Sequence, residues 1–134
     1  MKYNIELDES QIKLVANALE LYTRLSIGQL DTIIDLPTIK ETIDKRFEQN
    51  ELYKNYYDNP ISSNLNLTKI ELNGSIHGNL GIFNKDVTED VRIASHIKDT
   101  IKHQLYLDTE NKNMGVYSYP ADVVKDLVIK IEKI

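Results

Sequence analysis

The sequence contains no cysteine, few arginines and no long apolar run, and each absence excludes a class of protein. Without cysteine the chain forms neither disulfides nor thiolate metal sites, and it is compatible with a reducing compartment. No stretch approaches the ~20 consecutive apolar residues that a membrane span requires. The N-terminus, Met1 to Glu9, lacks the apolar core of a signal peptide. These absences are compatible with a cytosolic protein.

Acidic residues outnumber basic ones, 21 to 16, which gives the 134-residue chain a formal net charge of −5. General binding to nucleic acid requires a basic stripe that neutralises phosphates, so this class of partner is not expected. A small anion can still be bound where a few cations converge, which makes the three arginines, Arg24, Arg46 and Arg92, informative. The length suits one hydrophobic core, and we expect a single domain over residues 1–134.

The first third of the chain predicts a strand and then a long helix. Tyr3 to Asp8 alternates apolar and polar residues, which is typical of a half-buried strand. Asp8 and Gln11 form a capping-box pattern at the start of a helix that Gly28 ends. That helix has two apolar rows, which predict burial on more than one side, within the fold or against a partner subunit. The rows are Ile12, Val15, Leu19 and Tyr22, and Leu14, Ala18, Leu21 and Leu25.

The middle of the chain predicts short helices and a loop. A helical turn is expected from Gln29 to Asp35, and a helix from Pro37, a residue tolerated at a helix N-terminus, to about Gln49. Another helical turn is expected from Glu51 to Asp58. Pro60 and the polar run to Asn66 predict a surface loop, and Leu67 to Leu72 a strand or the approach to a glycine-rich segment.

The last part predicts a helix between strands. The glycine-rich run Asn73–Gly81 precedes a helix from about Asp86 to Leu107. Strand character returns at Met114–Tyr119 and Leu127–Ile134. We expect these strands to pair with the N-terminal strand in a small antiparallel sheet, packed by three to four helices. The predicted class is α+β.

Two regions could carry chemistry. Gly78 and Gly81 allow close approach of backbone to a ligand, and Phe83 beside them could stack on a base, although a capped turn with a core aromatic explains the same residues. One face of the following helix carries several polar groups, which predict a solvated face, a phosphate clamp or, less readily, a metal site. These groups are Arg92, His96, Asp99, Lys102 and His103. No nucleophile–base motif is present, so nothing argues positively for an enzyme.

Three segments together resemble a known group of proteins. They are ALELYTRLSIGQ at residues 18–29, NLGIFN at residues 79–84, and Arg92–Ala94 with IKHQL at residues 101–105. In order and approximate spacing they resemble small phage and prophage proteins that include the anti-Thoeris signal-sequestering (sponge) proteins. In that group an arginine stands where this chain has Lys102, which removes bidentate phosphate geometry.

The resemblance implies a non-catalytic phage protein that binds and hides a cyclic ADP-ribose-type or cyclic nucleotide immune signal in the host cytoplasm. It also implies a homo-oligomer built on dimers, with no cofactor. The residues carried over as ligand contacts are Arg24, Asn84, Lys102 and His103. Gly81, Phe83 and Arg92 are further candidate ligand contacts, because they lie in the glycine-rich turn and on the polar face of the following helix. A small phage structural or interaction protein, and a metal-assisted hydrolase using His96, Asp99 and His103, are the alternatives.

Overall fold

The computed structural model describes residues 1–48, 60–75, 78–109, 117, 120 and 130–131. In that part of the chain the regular structure is helical. The helices are α1 (Glu9–Ser26), a 3₁₀ helix (Leu30–Asp35), α2 (Pro37–Glu48), α3 (Pro60–Asn73) and α4 (Glu89–Asp108). None of these helices is long and apolar enough to cross a membrane.

The predicted α+β class is wrong, because none of the residues described forms a strand. Tyr3 to Asp8 has no regular structure and is exposed, since the alternating pattern stabilises a strand only when a partner strand pairs with it. The predicted strand Leu67–Leu72 lies within α3. Met114–Tyr119 and Leu127–Ile134 fall outside the described residues, apart from single positions, as does Glu51–Asp58.

Both ends of α1 follow from local chemistry and confirm the prediction. The Asp8 carboxylate accepts the Gln11 N–H at 2.9 Å, and the Gln11 side chain accepts the Asp8 N–H at 3.0 Å, which completes the capping box. At the other end Gly28 has φ +88°, and its N–H donates to the Leu25 carbonyl. The N–H of Gln29 donates to the Arg24 carbonyl, so this end is a Schellman motif.

The described chain divides into two units, which we call the central unit (Arg24–Val87) and the terminal unit (Met1–Thr23 with Thr88–Ile134). The expectation of a single domain stays a prediction. In the central unit the 3₁₀ helix packs against both α2 and α3. Among the described residues of this unit, the buried ones are Ile27, Gly28, Ile34, Ile43, Lys69 and Val87.

In the terminal unit, Nζ of Lys102 on α4 donates to the carboxylate of Glu20 on α1. The described buried residues of this unit are Ala16, Thr23, Val91, Ala94 and Ile101. The α4 positions recur at helical spacing and form one apolar face. No residue of the two predicted apolar rows of α1 is buried within the chain. Val15 and Tyr22 of the first row are 37% and 48% exposed, and Leu14 of the second row is 69% exposed. Burial of these rows against a partner subunit stays a prediction.

Two further boundaries differ from the sequence-based expectation. The run from Pro60 to Asn66, predicted as a loop, forms the first half of α3, because proline is accepted at the first position of a helix. The predicted helix at Asp86 begins at Glu89 instead, after a turn in which the Asn84 side chain accepts the Asp86 N–H at 2.9 Å.

Candidate functional site

A polar cavity of about 270 Å³ lies in the central unit. It is lined by residues from the end of α1, the 3₁₀ helix, α3 and the segment before α4. The charged lining residues are Arg24, Asp31, Asp35 and Lys69, and the uncharged ones are Gly28, Gln29, Thr32, Gly78 and Asn79. The cavity therefore has two cationic and two anionic side chains, together with amide and hydroxyl groups.

Arg24 is placed by the end of α1. It lies in the last turn of that helix, and its Nη1 donates to Oε1 of Gln29 at 3.3 Å. The Schellman motif that reverses the chain at Gly28 brings Gln29 back beside Arg24. The arginine consequently has a defined position at the cavity rather than projecting freely from the helix.

Asn73, the last residue of α3, holds two cavity segments together. Its Nδ2 donates to the carbonyl oxygens of Gly28 at 3.3 Å and Gly78 at 2.9 Å. The N–H of Leu80 also donates to the Ile27 carbonyl at 2.9 Å. A Cβ on Gly28 would lie 2.5 Å from two atoms of the Asn73 side chain. Glycine is thus required here both by its positive φ and by the close approach of Asn73.

Lys69 supplies the second cation. Its Nζ lies 2.7 Å from Oδ2 of Asp31, and the lysine side chain is 10% exposed whereas that of Asp31 is 55% exposed. A buried ammonium requires such a partner, because desolvation of an unpaired charge is costly. The pair joins α3 to the 3₁₀ helix and fixes this wall of the cavity.

The residues predicted for the site divide between the two units. In the central unit, Arg24 lines the cavity, whereas Gly81, Phe83 and Asn84 are not among its lining residues. Gly81 borders open space and Phe83 is 64% exposed. The N–H of Asn84 donates to the Gly81 carbonyl at 2.8 Å, so this segment is a hydrogen-bonded turn.

Arg92, Lys102 and His103 belong to the terminal unit and are half-buried on α4. Lys102 Nζ donates to the Glu20 carboxylate, and it lies 4.9 Å from the centre of the Tyr117 ring. His103 Nδ1 is 2.8 Å from the Tyr117 carbonyl oxygen. Lys102 and His103 therefore already have partners within the chain, as do Arg24 and Asn84.

The environment of Lys102 affects its protonation. Burial by itself would lower the pKa of this ammonium, but its hydrogen bonds to the Glu20 carboxylate and the Tyr117 hydroxyl outweigh burial. The pKa of Lys102 is consequently raised above its ordinary value of 10.5, and the residue is a cation at physiological pH.

The alternative metal site gains no support. Over the described residues, no group of three or more histidine, aspartate or glutamate side chains is arranged to hold a metal ion. Asp99 instead lies 2.9 Å from Nζ of its neighbour Lys98, and His103 contacts Tyr117.

Most of the cavity lining was missed by sequence reasoning. Gln29, Asp31, Thr32 and Asp35 belong to a segment predicted only as a helical turn, and Lys69 to a predicted strand. A usable signal was present in Pro60, since placing it at a helix start gives α3 and turns Lys69 toward the 3₁₀ helix.

Comparisons of the chain with protein-family models, with curated proteins and with solved structures give no match.

Proposed function

We propose that this chain is a phage anti-defence protein that binds and sequesters a cyclic ADP-ribose-type or cyclic nucleotide signal without cleaving it. It would act in the host cytoplasm as a homo-oligomer built on dimers. The resemblance described above supplies the class of ligand. The observation that carries the proposal is the polar cavity lined by Arg24, where a residue carried over from the resemblance meets a concave site.

The chemistry of the cavity suits a nucleotide. The guanidinium of Arg24 can donate two parallel hydrogen bonds to phosphate oxygens, a geometry that lysine does not provide. Gln29 and Asn79 add amide donors and acceptors for the polar edges of a ligand. Asp31 and Asp35 add acceptors for hydroxyl or amino groups.

The volume limits what one chain can enclose. A cavity of about 270 Å³ lies just below the range of about 300–1,000 Å³ that is usual for drug-sized ligands. One chain would therefore enclose part of a cyclic nucleotide-sugar, and a second copy would cover the remainder. Phe83, which is exposed, is a candidate for stacking on a base.

The remaining proposed contacts, Arg92, Lys102 and His103, are not among the residues that line the cavity. Lys102 and His103 would exchange or share their contacts with Glu20 and Tyr117 when ligand binds. We therefore expect substitutions of Arg24 to weaken ligand binding more than substitutions on α4.

The experiment mixes purified protein with the cyclic signal, separates protein from free ligand by filtration, and heats the retained fraction. Intact ligand should be retained and then released on heating. Arg24→Ala should weaken binding about 10- to 100-fold, the loss expected for hydrogen bonds to a charged group.

Arg46→Ala is the matched control, because Arg46 is an exposed arginine in the last turn of α2 outside the cavity. Its retention of ligand should equal that of the unsubstituted protein. Degraded ligand, or ligand that passes the filter, would contradict the proposal.

A second candidate is a phage structural or interaction module, and the exposed apolar side chains of α3 favour it. Leu67 is 63% exposed while Lys69 on the same helix is buried, which is the reverse of an ordinary surface helix. In this case Arg24→Ala would leave biological activity intact, whereas substitutions of Leu67 would abolish it.

A further inference from the structure

We infer that the cavity of the central unit recognises the ribose phosphate portion of its ligand, with Arg24 binding the phosphate and Asp35 accepting hydrogen bonds from the vicinal ribose hydroxyls. This inference deepens the proposed function, on which it rests for the assumption that the ligand is a nucleotide. It assigns to Asp35 a role that no sequence pattern indicated.

The mixed charges of the cavity indicate what kind of ligand it can bind. Two carboxylates, Asp31 and Asp35, line the same space as Arg24 and Lys69. A bare phosphate would be attracted by the two cations but repelled by the two carboxylates that line the same cavity. The lining thus suits a ligand that carries hydrogen-bond donors next to its negative charge, rather than an inorganic anion.

The two carboxylates differ in their partners within the chain. Asp31 is held by the ion pair with Lys69 at 2.7 Å. The Asp35 carboxylate is exposed and has neither a hydrogen bond nor an ion pair to another of the described residues. It is therefore the carboxylate available to a ligand. An ionised carboxylate only accepts hydrogen bonds, so it selects donors.

Vicinal hydroxyls match this requirement. The two oxygens of one carboxylate can accept from two adjacent O–H groups, and acidic side chains bind ribose hydroxyls in this way in dinucleotide-binding folds. The sugar hydroxyls and the phosphate are also adjacent parts of a nucleotide. A cavity of about 270 Å³ is of a size for a sugar phosphate, with the base extending out of its open side.

The test titrates the full chain with adenosine 5′-monophosphate, 2′-deoxyadenosine 5′-monophosphate and inorganic phosphate, followed by calorimetry and by amide chemical shifts. The ribonucleotide should bind roughly tenfold more tightly than the deoxyribonucleotide, as expected for one hydrogen bond to a charged group. Inorganic phosphate should bind more weakly than either.

Asp35→Asn should reduce the preference for the ribonucleotide to less than about twofold, while inorganic phosphate binds more tightly because a negative charge has been removed. Asp44→Asn removes the same charge from an exposed position on α2 outside the cavity, and it should keep the full preference. Arg24→Ala should weaken all three ligands.

Equal affinities for the two nucleotides would overturn the inference, as would an unchanged preference in Asp35→Asn or a failure of all three ligands to bind. The inference and the proposed function fail separately. If the protein retains the intact cyclic signal but binds the two nucleotides equally, the inference fails and the proposed function survives. If it binds the ribonucleotide more tightly but does not retain the cyclic signal, the proposed function fails and the ribose phosphate subsite survives.

Discussion

Among the glycines of the central unit, Gly28 has the most crowded surroundings for an added Cβ. Its φ of +88° is in the left-handed region, and a Cβ would meet the Asn73 side chain at 2.5 Å. Gly28→Ala should therefore lower the free energy of unfolding by about 3 kcal/mol. Strain in the left-handed region contributes about 1–2 kcal/mol, and the disturbed Asn73 hydrogen bonds contribute about 1 kcal/mol. Urea denaturation measures the change.

Gly74 is the matched control for that substitution. It also has a positive φ, +72°, but a Cβ there meets no atom within 4 Å. Gly74→Ala should cost about 1 kcal/mol, the strain alone. Equal losses for the two variants would show that Asn73 is not held against Gly28.

At the scale of one residue, the sequence was a good guide where the chemistry is local. Asp8 and Gln11 formed the expected capping box, and Gly28 ended α1 as expected, because each depends on atoms within a few residues. The sequence does not identify Asp35, because its proposed role depends on cavity residues that are distant from it in the sequence.

The contact between α3 and the 3₁₀ helix depends on the Lys69–Asp31 ion pair. Asp31→Ala leaves the lysine ammonium largely buried without a partner, and should lower the free energy of unfolding by about 2 kcal/mol. Lys69→Met should cost less, because it removes the buried charge instead of isolating it. Chemical denaturation of the two variants tests this order.

Glu41→Ala provides the comparison for a pair of the same kind at the surface. Glu41 and Lys45 form an ion pair 2.6 Å apart on α2, and both side chains are 66% exposed. Its loss should cost less than about 0.5 kcal/mol. A loss as large as that of Asp31→Ala would contradict the assigned importance of burial.

The contact between α1 and α4 in the terminal unit should depend on pH. Because the folded-state pKa of Lys102 is raised above 10.5, its stabilising contribution is complete below that value. The contribution is lost as pH rises through the higher folded-state pKa. Glu20→Gln should therefore destabilise the protein by about 1 kcal/mol at neutral pH.

The difference between Glu20→Gln and the unsubstituted protein should shrink at alkaline pH, in thermal unfolding measured from neutral pH to above 10.5. Glu41→Gln, in an exposed pair, serves as the control and should show little difference at any of these pH values. A difference that stays constant with pH would contradict a role for Lys102 protonation.

At the scale of elements, helices could be predicted and strands could not. The helical period is contained in each segment, so α1, α2 and α4 were found with ends near the observed ones. A strand requires a partner that sequence does not specify, and Tyr3–Asp8 remains without regular structure. The run from Pro60 was misread because proline both breaks and starts helices.

The cavity could not be predicted for a related reason. Its lining comes from residues 24–35, from Lys69 and from Gly78 and Asn79, which lie far apart in the sequence. Spacing along the chain relates residues only within one helix or one turn. The family resemblance predicts Arg24 as a ligand contact. Lys69 is not predicted as a site residue, because its segment is assigned to a strand instead of to α3.

For the whole molecule, the correction of the fold class leads to a simple test. Residues 1–6 are exposed and have no regular structure, so their deletion should leave both the helical far-UV circular dichroism and the melting temperature nearly unchanged. Asp8 is kept, so the cap of α1 remains. A cooperative loss of structure on deletion would instead indicate that this segment pairs within the fold.

The balance of charge in the cavity has a consequence for its behaviour in a cell. Two positive and two negative side chains line it, so it has little net attraction for polyanions. A site that binds nucleic acid through net positive charge displaces counterions from the phosphates, so its affinity falls steeply as salt concentration rises. This cavity would select by short-range hydrogen bonds, so its affinity would change little with ionic strength. Abundant RNA would then compete poorly for it.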